Sequence, residues 1–163
     1  MKVTKKGEEL EVAGIQPKIG DSAPSFSLPN LSDEVVHLSD FVGKPVLLSV
    51  VPDIDTRICS IQTKRFNQEA GKVSGAKLIT ISNNTKEEQA KWCAAEGVDM
   101  EMLHDADLTF GQAYGLFIPE IGHLARAIFV IDKDGKIVYE EIVSEISHEP
   151  DYKMALEKLT SLV

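Results

Sequence analysis

The amino-acid sequence predicts an α/β domain in which a central mixed β-sheet is flanked by helices. Near-continuous apolar runs at residues 45–51 and 76–82 are typical of strands that are buried on both faces. Each run is followed by a segment with helical features, and this alternation favours parallel strands. The apolar segments 125–131 and 136–143 flank Asp134-Gly135, which indicates an antiparallel hairpin near the end of the chain.

The outer elements follow from local signals. Residues 3–12 alternate around Lys6-Gly7 and predict a short N-terminal hairpin. Residues 34–44 predict a strand followed by a capped turn. A short helix is expected within residues 108–116, and residues 149–163 close the chain as an amphipathic helix.

Two central helices are predicted between the apolar strands. Helical spacing runs from Arg57 to about Val73. Thr85 and Glu88 form a capping box for the second helix, and Gly97 ends it. The apolar stripe predicted for the first helix comprises Ile58, Ile61 and Phe66.

Length and charge limit the classes of function. A chain of 163 residues is long enough for one domain, residues 1–163, with a single core. Its net charge of -9 argues against nucleic acid and against anionic membranes as partners. No apolar run approaches the roughly 20 residues that span a bilayer, and no signal-peptide pattern is seen. We therefore expect a cytoplasmic protein, in which cysteines tend to be catalytic or redox-sensing.

Residues 47–67 raise a choice between an acid site and a thiol site. Asp53 and Asp55 follow a buried strand and resemble the D-x-D-x-[TV] pattern of phosphatases with an aspartyl nucleophile. Thr56, however, comes only three residues after Asp53, and position 57 is arginine. The alternative is that both aspartates flank a helix N-terminus, where negative charge is favourable by about 0.3–1 kcal/mol.

Metal and cofactor motifs are weak in this sequence. Residues 132–136, DKDGK, resemble part of a calcium loop but lack its 12-residue span. His37, His104, His123 and His148 show no paired metal-ligand spacing, and no glycine-rich phosphate loop is present. We expect neither a metal ion nor an organic cofactor.

Cys59 is the alternative reactive group. If Thr56 caps the helix, Cys59 is the third helical residue, close to unpaired backbone N–H groups. Such a position can lower a thiol pKa from about 8.5 to about 3.5–7.5, which increases the thiolate fraction about tenfold to thirtyfold at most. A fast thiol enzyme therefore needs further groups that stabilise its transition state. Cys93 lies 93 − 59 = 34 residues downstream on another predicted helix, and there is no C-x-x-C motif.

Pro52, Thr56 and Cys59 match the pattern P-x-x-x-[TS]-x-x-C, which is the signature of the peroxiredoxins. The chain resembles this family, and within it the bacterial thiol peroxidases of the atypical two-cysteine kind. The resemblance covers essentially the whole chain. It rests on the segments SVVPDIDT, KRFNQEA, KWCAAEG, LARAIFVIDKDGKIVY, which contains Arg126, and EPDYKMAL.

This resemblance implies a thioredoxin-like fold with an N-terminal β-hairpin extension and an antioxidant peroxidase activity. Cys59 would be the peroxidatic cysteine and Cys93 the resolving cysteine, joined in an intramolecular disulfide during turnover. Thr56 and Arg126 would hold the hydroperoxide, while Pro52 would shield the sulfenic acid. A thioredoxin-like protein would act as the reductant, and the family commonly forms homodimers.

Arg57 departs from this family pattern, because relatives often have proline or glycine there. A cation at the first helical position opposes the helix dipole, yet it also favours a nearby thiolate. The competing class of function is a redox sensor on the same fold, in which oxidation of Cys59 alters a partner interface. Turnover of peroxide distinguishes an enzyme from such a sensor.

Overall fold

The computed structural model describes residues 1–98 and 100–163. Its helices are α1 (Arg57–Glu69), α2 (Lys86–Glu96), α3 (Thr109–Ala113) and α4 (Tyr152–Ser161), with a short 3₁₀ helix at Leu38–Phe41. Its strands are β1 (Lys2–Lys5), β2 (Glu8–Glu11), β3 (Ser27–Pro29), β4 (Val35–His37), β5 (Val46–Val50), β6 (Lys77–Ser82), β7 (Met102–His104), β8 (Phe117–Ile118), β9 (His123–Leu124), β10 (Ala127–Ile131) and β11 (Ile137–Ile142).

Five strands form the central mixed sheet, in the order β11-β10-β5-β6-β7. The strands β5, β6 and β7 are parallel, whereas β10 is antiparallel to both β5 and β11. All five residues of β5 are buried, as expected for a continuous apolar strand with both faces covered. The predicted mixed sheet and its closing hairpin are therefore confirmed.

The two faces of the sheet are covered by different elements. Leu47 of β5 faces a core that it shares with Phe66 of α1 and with Ala155 and Leu159 of α4. The helix α2 packs on the same face, where Gln89 donates to the Ser82 hydroxyl at 2.9 Å. On the opposite face, Val46, Leu48 and Val50 pack against α3 and the N-terminal strands. Because successive side chains of β5 point to opposite faces of the sheet, they pack into two separate cores.

The predicted helix ends are largely confirmed. Thr85 and Glu88 form the capping box of α2, and Gly97 adopts the left-handed conformation with φ 65° just after it. Helix α1 begins at Arg57 as predicted but ends at Glu69 rather than near Val73. The chain turns at Ala70 and Gly71, whose N–H groups both donate to the Phe66 carbonyl.

The N-terminal hairpin is present and is attached to the segment after β11. Its turn consists of Lys6 and Gly7, both with positive φ, as two-residue hairpin turns require. The Thr4 N–H donates to the Ser144 carbonyl at 2.7 Å, and the Ile146 N–H donates to the Thr4 carbonyl at 2.8 Å. The hairpin therefore holds the segment 144–146 in place through backbone hydrogen bonds.

The Glu145 carboxylate adds a second attachment. It accepts from the Thr4 hydroxyl at 2.9 Å, the Gly7 N–H at 3.0 Å, and the N–H and hydroxyl of Ser147. These donors lower the pKa of Glu145, with the Ser147 hydroxyl making the largest contribution. A carboxylate with several donors joins two chain segments more strongly than a neutral acceptor does.

We predict that Glu145→Gln destabilises the protein at neutral pH by about 1 kcal/mol, because an amide cannot accept from all four donors. A lowered folded-state pKa gives stability that is complete above the unfolded value of about 4.3 and is lost as the pH falls toward the folded value. The difference between the two proteins should therefore shrink below about pH 4. Urea unfolding at several pH values measures it.

The control is Glu8→Gln, which removes a carboxylate from the exposed side of the same hairpin. This variant should unfold like the wild-type protein at every pH. A Glu145→Gln deficit that stayed constant down to pH 3 would show that the carboxylate charge has no part in the attachment.

Candidate active site

The candidate site lies where β5 ends and α1 begins. Pro52 is buried two residues after the end of the strand, and the chain turns through residues 53–56 before α1 starts. Thr56 occupies the N-cap position with an extended backbone, which makes Cys59 the third helical residue, as predicted. Cys59 is 1% exposed. The sulfur is thus carried by the first turn of α1, at the positive end of the helix dipole.

Thr56 does not cap the helix with its side chain. Its hydroxyl donates to the Asp53 carbonyl at 2.7 Å, and its N–H donates to the same oxygen at 3.1 Å. These two hydrogen bonds form a turn over residues 53–56, and they take the place of the expected capping bond. As a result, the Thr56 hydroxyl does not compete for the N–H groups of the first helical turn.

Asn84 fixes this turn to the neighbouring strand. Its side-chain oxygen accepts from the Ile54 N–H at 2.8 Å, and its nitrogen donates to the Asp53 carboxylate at 3.0 Å. Asp53 also accepts from the Asp55 N–H at 3.2 Å. These bonds make Asp53 a loop-forming residue, in agreement with the interpretation of the aspartates as flanking a helix N-terminus.

Arg126 reaches the same place from the other direction. It immediately precedes β10, whose first residue, Ala127, pairs with Val50 at the end of β5. Because β10 runs antiparallel to β5, its start lies beside the end of β5. Arg126 is 3% exposed. Its Nε and Nη2 atoms donate to the Ile146 carbonyl at 3.0 and 2.8 Å, and Nη1 donates to Gln62 Oε1 at 3.0 Å.

A cavity of about 540 Å³ brings four of the five predicted residues together. Its lining includes Pro52, Thr56, Cys59 and Arg126. Lys5 and Lys6 of the hairpin and Arg57 of α1 also line it, whereas Asp53 is the one carboxylate in that lining among the residues that the structure describes. The cavity is therefore rich in cations although the whole chain is acidic.

Cys93, the fifth predicted residue, approaches from α2 rather than from the cavity. It packs against a cluster of buried side chains that contains Cys59. Both cysteines are in the thiol form, so no disulfide joins them. The other members of the cluster are Val51, Ile54, Trp92 and Met102.

Polar contacts link α1 to α2 beside this cluster. Trp92 Nε1 donates to the Ser60 hydroxyl at 3.3 Å, and that hydroxyl donates to Glu96 at 3.3 Å. Lys64 pairs with Glu96 at 3.2 Å. These contacts connect the helix that carries Cys59 with the helix that carries Cys93.

Three polar residues near the site were not predicted from the sequence, namely Ser60, Gln62 and Asn84. Gln62 was missed because the stripe of α1 was read from apolar residues. Ile58 and Ile61 are only half-buried, and the fully buried positions are Cys59, Gln62, Thr63 and Phe66. Residues three or four positions apart lie on the same face of a helix, so counting from Cys59 would have predicted that Gln62 is buried too.

His37 and His123 have local partners. The Nδ1 atom of His123 lies 3.2 Å from the Asn83 side-chain oxygen, and that of His37 lies 2.6 Å from the Ser27 hydroxyl. Within residues 1–98 and 100–163, no group of three or more His, Cys, Asp or Glu side chains is placed to hold a metal ion. In the same described residues, no helix is long and apolar enough to span a membrane.

A buried cysteine lies in the first turn of a helix and lines the same cavity as a buried arginine. Together with the sheet topology, this arrangement defines a thiol-based oxidoreductase with a thioredoxin-like fold. Residues 19–140 match the AhpC/TSA family, and the chain belongs to that family. The strands β1 and β2 precede the matched residues, which agrees with the predicted N-terminal hairpin extension.

Similar proteins narrow the class further. A thiol peroxidase of Bacillus subtilis (strain 168) is 43% identical over 163 residues, which cover 99% of this chain and 98% of the relative. A thiol peroxidase of Oceanobacillus iheyensis is 45% identical over 159 residues, which cover 96% and 97%. A peroxiredoxin-like protein from Aquifex aeolicus has a crystal structure that matches with a TM-score of 0.93 and 28% identity, over 99% of this chain and 97% of that chain. The resemblance to thiol peroxidases is confirmed, and the protein is a peroxidase enzyme.

Proposed function

We propose that this peroxidase reduces hydrogen peroxide and organic hydroperoxides in antioxidant defence, with Cys59 as the peroxidatic cysteine. The observation that carries the proposal is that Pro52, Thr56, Cys59 and Arg126 line one cavity. These residues match the signature and the arginine of the family to which the chain belongs. A thiol nucleophile and a cation in one sheltered cavity are the groups that peroxide reduction needs.

In the first step, the Cys59 thiolate attacks the terminal oxygen of the hydroperoxide. A sulfur–oxygen bond forms as the oxygen–oxygen bond breaks, and the leaving oxygen takes a proton to become water or an alcohol. Cys59 is oxidised by two electrons to a sulfenic acid, and the peroxide is reduced by the same two electrons. Pro52 is buried, lines the same cavity as Cys59 and shields the sulfenic acid from solvent.

Thiolate formation alone does not account for a fast reaction, because the thiolate fraction cannot exceed one. The remaining acceleration must come from groups that stabilise the charge developing on the leaving oxygen. Arg126 and the Thr56 hydroxyl take that role. Both line the cavity with Cys59, and the guanidinium is held in place before the substrate arrives. The preorganised guanidinium needs no rearrangement during the reaction, whereas the Thr56 hydroxyl has to turn away from the Asp53 carbonyl to donate to the leaving oxygen.

In the second step, the Cys93 thiolate attacks the Cys59 sulfur. A disulfide forms, the sulfur–oxygen bond breaks and water leaves. A disulfide needs Cα atoms about 4.4–6.8 Å apart. Cys59 lies in the first turn of α1 and Cys93 inside α2, so we infer that one or both helices unwind locally. The contacts of Ser60 with Trp92 and Glu96 must open during this change.

In the third step, a thioredoxin-like dithiol reduces the disulfide by thiol–disulfide exchange, which restores both thiols. We further propose that the enzyme works in the cytoplasm as a homodimer, as its family commonly does. Paired cysteines that cycle between dithiol and disulfide suit a compartment in which such reductants are maintained.

We predict that Cys59→Ser abolishes peroxide reduction, because a neutral hydroxyl cannot replace a thiolate near pH 7. Asp53→Asn and Asp55→Asn should keep most of the activity, since an amide oxygen can still accept the bonds that shape the loop. Peroxide consumption coupled to a thioredoxin system measures all three variants against the wild-type protein.

Two outcomes would contradict the proposal. Inactive aspartate variants together with an active Cys59→Ser protein would identify an acid site. Wild-type protein that consumes only one equivalent of peroxide, with the thioredoxin system present, would identify a redox sensor instead of an enzyme.

A separate prediction concerns Trp92, the only tryptophan in the chain. It is 5% exposed and packs in the same cluster as Cys59. After one equivalent of peroxide is added, its fluorescence should change in a phase that follows formation of the sulfenic acid, and dithiothreitol should reverse the change. In Cys93→Ser the sulfenic acid should form while this slower phase disappears.

Ser60→Ala provides the matched variant, because it removes the hydroxyl that links Trp92 to Glu96. It should accelerate the slower phase several-fold without altering the first phase, since only the unwinding step is eased. A structure of the disulfide form in which α1 and α2 both remain intact would contradict the unwinding, while the peroxidase assignment would stand.

A further inference from the structure

His123 is a half-buried side chain of the cavity that the proposed steps leave without a role. It lies on β9 and lines the cavity together with Cys59 and Arg126. It comes three residues before Arg126 in the sequence, and three residues of chain span at most about 11 Å. One small hydroperoxide in the cavity can therefore contact both side chains.

The Asn83 amide determines which nitrogen of His123 carries the proton. Asn83 Nδ2 donates to the Gly122 carbonyl at 2.8 Å, and a carbonyl can only accept. The oxygen of the same amide lies 3.2 Å from His123 Nδ1, so Nδ1 must donate to it. In the neutral ring, Nε2 then holds the lone pair. Within the described residues Nε2 has no hydrogen-bond partner, so a molecule in the cavity can donate to it.

The other charged side chains of the cavity are poor proton acceptors. Among the described residues of the lining, the cations donate hydrogen bonds and accept none. They are Lys5, Lys6, Arg57 and Arg126. Asp53 is a carboxylate, but its Oδ1 atom already accepts two hydrogen bonds that shape the loop. Imidazole is the side chain that most often exchanges protons in catalysis near neutral pH, so His123 is the base of this cavity.

We propose that His123 is a catalytic base that passes the proton of the hydroperoxide from the attacked oxygen to the leaving oxygen. As the Cys59 thiolate bonds to the terminal oxygen, Nε2 takes the proton that this oxygen carries. It gives that proton to the leaving oxygen as the oxygen–oxygen bond breaks. The products are a Cys59 sulfenate and water or an alcohol, and the imidazole is unchanged. A solvent proton then converts the sulfenate to the sulfenic acid.

Such a relay matters for peroxides that release a strongly basic oxygen. Hydroxide and alkoxides are poor leaving groups until they are protonated, and a positioned acid–base group accelerates such a step by about 10²–10⁴. A peracid instead releases a carboxylate, which is a weak base and leaves without a proton. The inference rests on the proposed attack of Cys59 on the hydroperoxide, and it adds a dependence on the leaving group.

The plainer interpretation is that His123 and Asn83 only join β9 to the end of β6. In that case a substitution of His123 lowers the free energy of unfolding and slows every oxidant to the same extent. The two interpretations therefore differ in how the loss of rate depends on the oxidant.

The test is the second-order rate of Cys59 oxidation at pH 7 by hydrogen peroxide, tert-butyl hydroperoxide and peracetic acid in the wild-type protein and in His123→Gln. The amide can still bond to Asn83 but cannot take up and release a proton. We expect the rates with hydrogen peroxide and tert-butyl hydroperoxide to fall about tenfold to a hundredfold. The rate with peracetic acid should stay close to the wild-type value. The rate of Cys59 alkylation by iodoacetamide, which needs no proton on its leaving group, should stay close to it too.

His37→Gln is the matched control. His37 also has its Nδ1 atom beside a local partner, the Ser27 hydroxyl at 2.6 Å, but it lies on β4 and is exposed outside the described lining of the cavity. Its substitution should leave all four rates unchanged. Circular dichroism and thermal unfolding establish that each variant is folded.

Asn83→Leu keeps the imidazole but removes the amide that orients it, and it remains informative if His123→Gln does not fold. The two hydroperoxide rates should fall by a smaller factor than in His123→Gln, again without a loss with peracetic acid. Equal losses with all three oxidants in either variant, or wild-type hydroperoxide rates in His123→Gln, would overturn the relay while the peroxidase function stands. Wild-type protein that fails to turn over peroxide would instead overturn the proposed function itself.

Discussion

Arg126 carries a positive charge into the interior of the protein, and the groups that accept its hydrogen bonds there are neutral. Burying a charge in this way is costly, so the surrounding structure has to hold it firmly. The register between β5 and β10 places the arginine beside the turn that leads to Cys59. The hairpin of β1 and β2 holds the segment that supplies the Ile146 carbonyl, and α1 supplies both Gln62 and Cys59. Three separate parts of the chain thus meet at one guanidinium.

The second cysteine imposes a different requirement on the same region. The buried cluster around Cys59 and Trp92 stabilises the dithiol form by excluding water from both helices. A disulfide between α1 and α2 requires part of that packing to be given up. The polar contacts between the helices are few and partly exposed, with the side chains of Lys64 and Glu96 42% and 33% exposed, so they are weak. The proposed mechanism therefore requires one part of the structure to hold Arg126 and another part, around Cys93, to open while the disulfide forms.

The sequence predicted the sheet and most helix boundaries because those features depend on local patterns. A strand buried on both faces is a continuous apolar run, and Thr85, Glu88 and Gly97 mark the ends of α2 directly. The stripe of α1 was predicted only in part, because burial was equated with hydrophobicity: Phe66 is buried, but Ile58 and Ile61 are half-buried. Gln62 is buried since Ser49 and Arg126 satisfy its amide, and Arg126 lies 64 positions away in the sequence. Asn84 was missed for the same reason, because its partners belong to the turn after β5. Tertiary hydrogen bonds of this kind leave no periodic signal in the sequence.

In the proposed mechanism, the buried Arg126 charge acts on the reaction itself and not only on ionisation of the thiol. This role is tested most directly by measuring the rate of Cys59 oxidation by hydrogen peroxide against pH in the wild-type protein and in Arg126→Met, which preserves much of the side-chain volume without the charge. On the high-pH plateau Cys59 is a thiolate in both proteins, so any remaining difference reflects stabilisation of the transition state. The account predicts a plateau about a hundredfold lower in Arg126→Met. Identical plateaus, with only the midpoint shifted, would contradict it.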